Sequence, residues 1–129
     1  MNTDKMKAPW VETVELVGAP RAKELYEHRI PWDAKIIPEL GIKNRKPDFT
    51  VIQNYAAAML RGEWELIPDG LKITALDSNG FWWMLDGTQR ALAVLEAAKT
   101  NPDIKVPFAI YSGISPSVFK VLDTGRKRT

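Results

Sequence analysis

A chain of 129 residues with no cysteine and one histidine, His28, is closed to several kinds of chemistry before any motif is read. Without cysteine there is no disulfide scaffold, no thiolate nucleophile and no cysteine-ligated zinc. One histidine excludes a histidine-rich metal site and leaves a Ser-His-Asp triad only through His28. Long apolar runs are missing too. Residues 91–95 are apolar but break at Glu96, far short of the roughly 20 residues that cross a bilayer. Residues 1–7 lead into no apolar stretch of a secretory leader. There is no excess of one charge either: 18 basic and 16 acidic residues leave +2, so no global polycation is offered to a nucleic acid. Hydrophobic residues at 45% and charged residues at 26% fit a globular chain and exclude wholesale disorder. The length is that of one domain, and the expected location is the cytoplasm.

Nine prolines punctuate the chain, with no internal repeat and no low-complexity tract. Weak alternation over residues 10–17 predicts a strand. Pro20 suits the start of a helix that carries Ala22, Leu25, Tyr26 and Arg29 at helical spacing and is expected to stop at Pro31. Residues 31–44, with Pro38 and Gly41 inside, read as an extended loop. Asp48 is placed to cap a helix with Val51, Ile52, Tyr55, Ala56, Met59 and Leu60 on one face, and Gly62 to stop it. Residues 71–76, the turn Asp77-Ser78-Asn79-Gly80 and residues 81–85 read as a hairpin. A helix then opens in the segment 86–90 and runs to about residue 99; it is apolar around most of its circumference, so deep burial is expected. Residues 106–111 are a predicted strand. Ser115-Pro116 is a predicted helix start, with Val118, Phe119, Val121 and Leu122 inside. The order of elements predicts an α+β fold, a small mixed β-sheet packed with helices. A chain that stops just after Gly125-Arg126-Lys127-Arg128 is expected to belong to a longer reading frame.

The informative segment is Leu85-Asp86-Gly87-Thr88-Gln89-Arg90. An apolar strand ends, a glycine turns the chain and a helix begins. The first turn of a helix carries N–H groups without intrahelical partners and the positive dipole end, a geometry suited to phosphate or carboxylate. Gly87 would let backbone approach an anion, Thr88 and Gln89 would donate, and Arg90 offers a fork for phosphate oxygens. Asp86 is the odd member: beside a phosphate it must hold a metal, orient a hydroxyl or accept a proton. A purely structural alternative stays open, with Asp86 as an N-cap, Gly87 as a turn residue and Arg90 as an i, i+4 partner of Asp86. No Walker A loop occurs.

Four motifs in order give the segment 44–129 a resemblance to the ParB/sulfiredoxin superfamily: Asn44-Arg45, Gly62-Glu63-Trp64, Asp86-Gly87-Thr88-Gln89-Arg90 and Asp123-Thr124-Gly125-Arg126-Lys127-Arg128-Thr129. It is similar in particular to the ParB-like domains of bacteriophage and actinobacterial genomes, whose loop has an Asp-Gly-Gln-His-Arg pattern. The resemblance implies a ParB/sulfiredoxin-like fold and a nucleotide site. In ParB proteins the loop binds the phosphates of CTP; in sulfiredoxins and a related free serine kinase it binds an adenine nucleotide. Carried over, Gly87, Thr88, Gln89 and Arg90 cradle phosphates and Arg45 closes over the nucleotide. Asp123, Thr124 and Arg126 stand where ParB proteins complete the phosphate and metal site. Mg²⁺ is the implied metal, with Asp86 and Asp123 as its ligands. Gln89 replaces the usual histidine and cannot transfer a proton near neutral pH. The sulfiredoxin cysteine is absent, which excludes sulfinic acid reduction.

The leading expectation is therefore a domain that binds a nucleoside triphosphate, CTP or ATP, with Mg²⁺, and hydrolyses it, transfers a phosphoryl group or uses it as a switch. Asp86, Asp123 and Glu63 are the candidate catalytic carboxylates. The alternative is a non-enzymatic DNA-associated module using Lys43, Arg45 and Lys46 with Arg126, Lys127 and Arg128. Nuclease activity is not expected, since no carboxylate cluster for two metals is visible. A third alternative is a domain that has lost its chemistry and serves assembly. A homodimer is left open, no membrane is expected, and a phage-encoded copy would act in the host cytoplasm. Trp82 and Trp83 should face opposite sides of the sheet, one in the core and one partly exposed. Trp64 packs under the preceding helix or lids a base. Glu63 orients a metal-bound water or is simply solvated. His28 is expected on the surface and Tyr55 in the core.

Overall fold

Alternation over residues 10–17 does form a strand in the computed structural model, which describes residues 9–30 and 47–115. The elements among them are β1 (Val11–Val17), α1 (Ala19–Glu27), α2 (Phe49–Leu60), β2 (Leu71–Thr74), β3 (Met84–Asp86), α3 (Thr88–Thr100) and β4 (Val106–Ile114). They make a small mixed α/β protein with a four-stranded sheet in the order β1-β4-β2-β3. β1 pairs antiparallel with β4 from Val11↔Ser112 to Val17↔Val106, β4 runs parallel to β2, and β2 pairs antiparallel with β3. The predicted loop at residues 31–44 and the predicted helix from Pro116 lie outside the described residues. No described helix is long and apolar enough to cross a membrane.

The sheet has two unequal faces. The main core joins Val17, Leu71, Met84, Phe108 and Ile110 of the strands to the buried faces of α1, α2 and α3. α3 lies deepest, as its composition predicts. Small residues Ala91, Ala93 and Ala97 let it contact both α1 and α2. A smaller cluster of Ile30, Leu85 and Ile114, with Trp83 and Tyr111 against it, forms separately. Leu85 belongs there because it alternates with Met84 along β3.

Local chemistry sets the ends of the helices. Asp48 caps α2 as predicted, its Oδ1 accepting from the N–H groups of Thr50 at 3.0 Å and Val51 at 3.3 Å. Gly62, at φ +70°, ends it. Glu63 N–H donates to the Ala58 carbonyl at 2.9 Å and Gly62 N–H to that of Met59 at 3.1 Å, the paired bonds of a Schellman stop. Replacing Asp48 with alanine should lower stability by about 1 kcal/mol, read as a shift in the urea midpoint at constant slope.

Three expectations need correction. α1 stops at Glu27, before Pro31, because the next residues serve β3. His28 is half-buried, not a surface residue. Its ring stacks 3.8 Å from Trp82 and 4.4 Å from Phe81, its Nδ1 lies 2.7 Å from the Trp82 carbonyl, and its own carbonyl accepts from Met84 N–H at 2.8 Å. Arg29 then forms a bridge with Met84 on the outer side of β3. The hairpin strands are also shorter than predicted. Asp77 Oδ1 accepts from Asn79 N–H at 2.8 Å and Phe81 N–H at 3.0 Å, which widens the turn. Thr74 Oγ1 takes the Trp83 N–H at 2.9 Å in place of a ladder partner. Trp82 joins the main core and Trp83 the smaller cluster, so they do face opposite ways, but both are half-buried.

Candidate functional site

β3 brings Asp86 to the end of the sheet, and α3 starts two residues later at Thr88. Gly87 between them holds φ at +120°, a conformation that a Cβ opposes. A Cβ there would also stand 2.1 Å from Leu71 Cδ2. Packing therefore requires the glycine: the buried Leu71 fills the space beside it. Gly87 is also the N-cap of α3, a role the structural alternative gave to Asp86, and it has no side chain with which to cap.

Asp86 and Arg90 are buried, at 7% and 9% exposure. Asp86 Oδ2 lies 3.2 Å from Lys72 Nζ and 3.6 Å from Arg90 Nη2, so the i, i+4 pair of the structural alternative is present. Arg90 Nη1 donates to the Asp69 carbonyl. Lys72 Nζ donates to the Gly70 carbonyl at 3.0 Å and to Asp69 Oδ1 at 3.2 Å. The Tyr111 hydroxyl donates to the Pro68 carbonyl at 2.8 Å. Partial desolvation and the neighbouring Glu12 carboxylate push the Tyr111 phenol up.

Three consecutive carbonyls, of Pro68, Asp69 and Gly70, are thus each held by a side chain from a different element. Gly70 fits tightly below them; its Cβ would stand 2.3 Å from the Ala109 carbonyl oxygen. This clamp couples the chain entering β2 to the start of α3. Among the described residues its ion pairs set Lys72 and Arg90 against Asp69 and Asp86.

Beside the clamp, Gln89 Oε1 accepts from the Asp48 backbone N–H at 2.6 Å. The N-termini of α2 and α3 therefore meet; the Asp48 carboxylate already caps the first, and the second has no side-chain cap. Thr88 is buried there and Gln89 half-buried. Arg45 lies three residues before Asp48 in the sequence.

The structure brings Asp86, Gly87, Thr88, Gln89 and Arg90 together and leaves Glu63 elsewhere. Glu63 follows the far end of α2, whose 12 residues span about 18 Å. Its carboxylate pairs with Arg61 at 2.9 Å, and that hydrogen bond holds the carboxyl below its usual range. Trp64 packs as the structural reading expects, 5.3 Å from Tyr55 and 5.5 Å from Phe108. Lys43, Arg45, Lys46, Asp123, Thr124, Arg126, Lys127 and Arg128 lie outside the described residues. Sequence reasoning missed Lys72, Asp69 and Tyr111. The one available signal was Lys72, a lone charge in the apolar run Leu71-Lys72-Ile73.

Among the described residues no three histidine or carboxylate side chains converge as a metal group. Mg²⁺ on Asp86 would sit beside two cations already within 3.2 and 3.6 Å, so Asp86 does not fit as the anchor of a resident metal. No protein-family model matches the chain, and a search of curated proteins returns no match. Fold and site together define a small mixed α/β protein whose helix-opening loop is built into a clamp of ion pairs and backbone carbonyls.

Proposed function

We propose that the corner where α2 and α3 begin binds the phosphates of a nucleoside triphosphate, CTP or ATP, in a ParB/sulfiredoxin-like domain. The observation that carries this reading is the contact between Asp48 N–H and Gln89 Oε1, because it joins two helix N-termini. Arg45 stands three positions before Asp48 in the sequence.

In this reading the phosphates rest against the first turn of α3 near Gln89, and Arg45 closes on them from the chain entering α2. Mg²⁺ arrives with the nucleotide, held by phosphate oxygens and water, since it dehydrates reluctantly and prefers such partners. Asp86 balances Lys72 and Arg90; it is not the base. Glu63 is about 18 Å away at the other end of α2. The reading therefore favours binding used as a conformational switch over hydrolysis or phosphoryl transfer.

Calorimetric titration with CTP and with ATP, each with and without Mg²⁺, tests it. Saturable binding of at least one nucleotide, strengthened by Mg²⁺ and weakened in Gln89→Ala, is expected. No binding of either at millimolar concentration would overturn the reading.

A further inference from the structure

We propose that β1 is the seam of a two-fold homodimer, pairing antiparallel with β1 of a second copy so that Val14 meets Val14 of the partner subunit. The inference stands apart from the nucleotide reading. β1 is last in the sheet, bonded to β4 on one side and to no described strand on the other. Residues 11–14 and Leu16 are exposed, so both faces of the strand are open to water. Val11, Val14 and Leu16 are 61%, 60% and 65% exposed. α1 does not shelter this edge. It leaves the end of β1 and crosses the sheet, since the chain that follows it bridges Met84 of β3.

Val17 packs in the main core, so alternation turns Val14 and Leu16 to the face away from the helices. There the register sets them beside Ala109 and Pro107 of β4. These four residues make an apolar strip that runs to the open edge, and a second copy carries the same strip to meet it.

The sequence of β1 selects the pairing. A two-fold axis relating antiparallel strands of one sheet stands perpendicular to it and keeps every side chain on its own face. Odd-numbered residues therefore meet odd ones, and even meet even. Centred on Glu15, the pairing would set two carboxylates directly opposite each other. Centred on Thr13, it would leave Leu16 and Val17 outside. Centred on Val14, it uses all seven residues of the strand and opposes no two like charges. Val11 then meets Val17, Glu12 meets Leu16 and Thr13 meets Glu15. The two Glu15 side chains become diagonal neighbours, and each is already paired with its own Arg21, whose Nε and Nη2 donate to it at 2.8 and 3.2 Å. A strand that complements itself in this way fits a second copy of the chain. The product doubles the four-stranded sheet into one continuous sheet, with the helices of both copies on one side and the apolar strips joined on the other.

Such a short seam predicts a dissociation constant of about 1–100 µM. Sedimentation equilibrium over about 1–500 µM should therefore show the mass rising from 14.6 kDa toward twice that value. Val14→Lys sets two ammonium groups on the axis and should weaken association at least about tenfold. Its far-UV circular dichroism should match wild type, because residue 14 is exposed. The absence of cysteine allows a second readout. Under mild oxidation Val14→Cys should give a disulfide-linked dimer, since directly opposed residues stand within the Cα separation of about 4.4–6.8 Å that a disulfide spans. Thr13→Cys and Leu16→Cys should stay largely unlinked, because each is offset from its own copy by about 7 Å or more along the strand. A chain that stays monomeric throughout that range, a dimer that Val14→Lys leaves intact, or cross-linking at residue 13 or 16 as strong as at residue 14 overturns the inference.

Discussion

Gly87→Ala is expected to lower the free energy of unfolding by about 2–5 kcal/mol, a sum of left-handed backbone strain and an overpacked contact. A domain of this kind holds about 5–15 kcal/mol in all, so the variant should lose a large share of its stability. The cause is local and named: φ of +120° and a Leu71 Cδ2 atom 2.1 Å from where the Cβ must go. Gly62→Ala is the control. Gly62 also has positive φ, at +70°, but nothing lies within 4 Å of its Cβ position. It should lose only the backbone component, about 1–2 kcal/mol. Urea midpoints at constant slope measure both. Adding Leu71→Ala to Gly87→Ala should cost less than the two changes apart, with a coupling of about 1–3 kcal/mol. An alanine at residue 87 tolerated without loss would mean that Leu71 does not occupy that space.

Arg90→Ala should follow closely. Breaking a buried pair usually costs about 3–5 kcal/mol; Lys72 stays beside Asp86 and reduces this to about 2–4 kcal/mol. The loss comes from two groups left behind, the Asp86 carboxylate and the Asp69 carbonyl, both of which Arg90 engages. The double variant Arg90→Ala with Asp86→Ala should therefore be more stable than the sum of the singles predicts. Arg90→Lys keeps the charge but not the fork and should fall between wild type and Arg90→Ala. The alternative outcome is equally clear. An Arg90→Ala protein of unchanged stability that no longer binds nucleotide would make Arg90 a phosphate ligand and not a clamp. Loss of binding together with loss of stability would instead reflect the collapse of the corner.

What could be read in advance was local. β1, the Asp48 cap, the Gly62 stop and the burial of α3 each depend on residues a few positions apart, and each is found. His28 was misread because its partner Trp82 stands 54 positions away, joined only when α1 meets the hairpin. The hairpin was overextended because the Asp77 side chain captures two backbone N–H groups that alternation alone assigns to a ladder. At the site, residues 86–90 stood out because strand, glycine and helix are contiguous. The clamp did not, because it needs Lys72 opposite Asp86 across one pairing and Ile110 beside Leu71 across another. The second of these pairings is parallel and spans α3, so no short stretch of sequence encodes it. Arg90 is buried with its Nη1 on the Asp69 carbonyl, a contact that residue spacing does not encode.

The chain leaving α1 also has a consequence for how this protein would meet others of its kind. β3 is three residues long and stands last in the sheet, where bare amide groups usually invite a foreign strand. His28 and Arg29 hem that margin with their own backbone. The opposite margin, β1, carries exposed Val11, Val14 and Leu16 and has no such hem among the described residues. Among the described residues, strand addition between partly unfolded copies is thus expected at β1, and a lysine at residue 14 or 16 is the change that would blunt it.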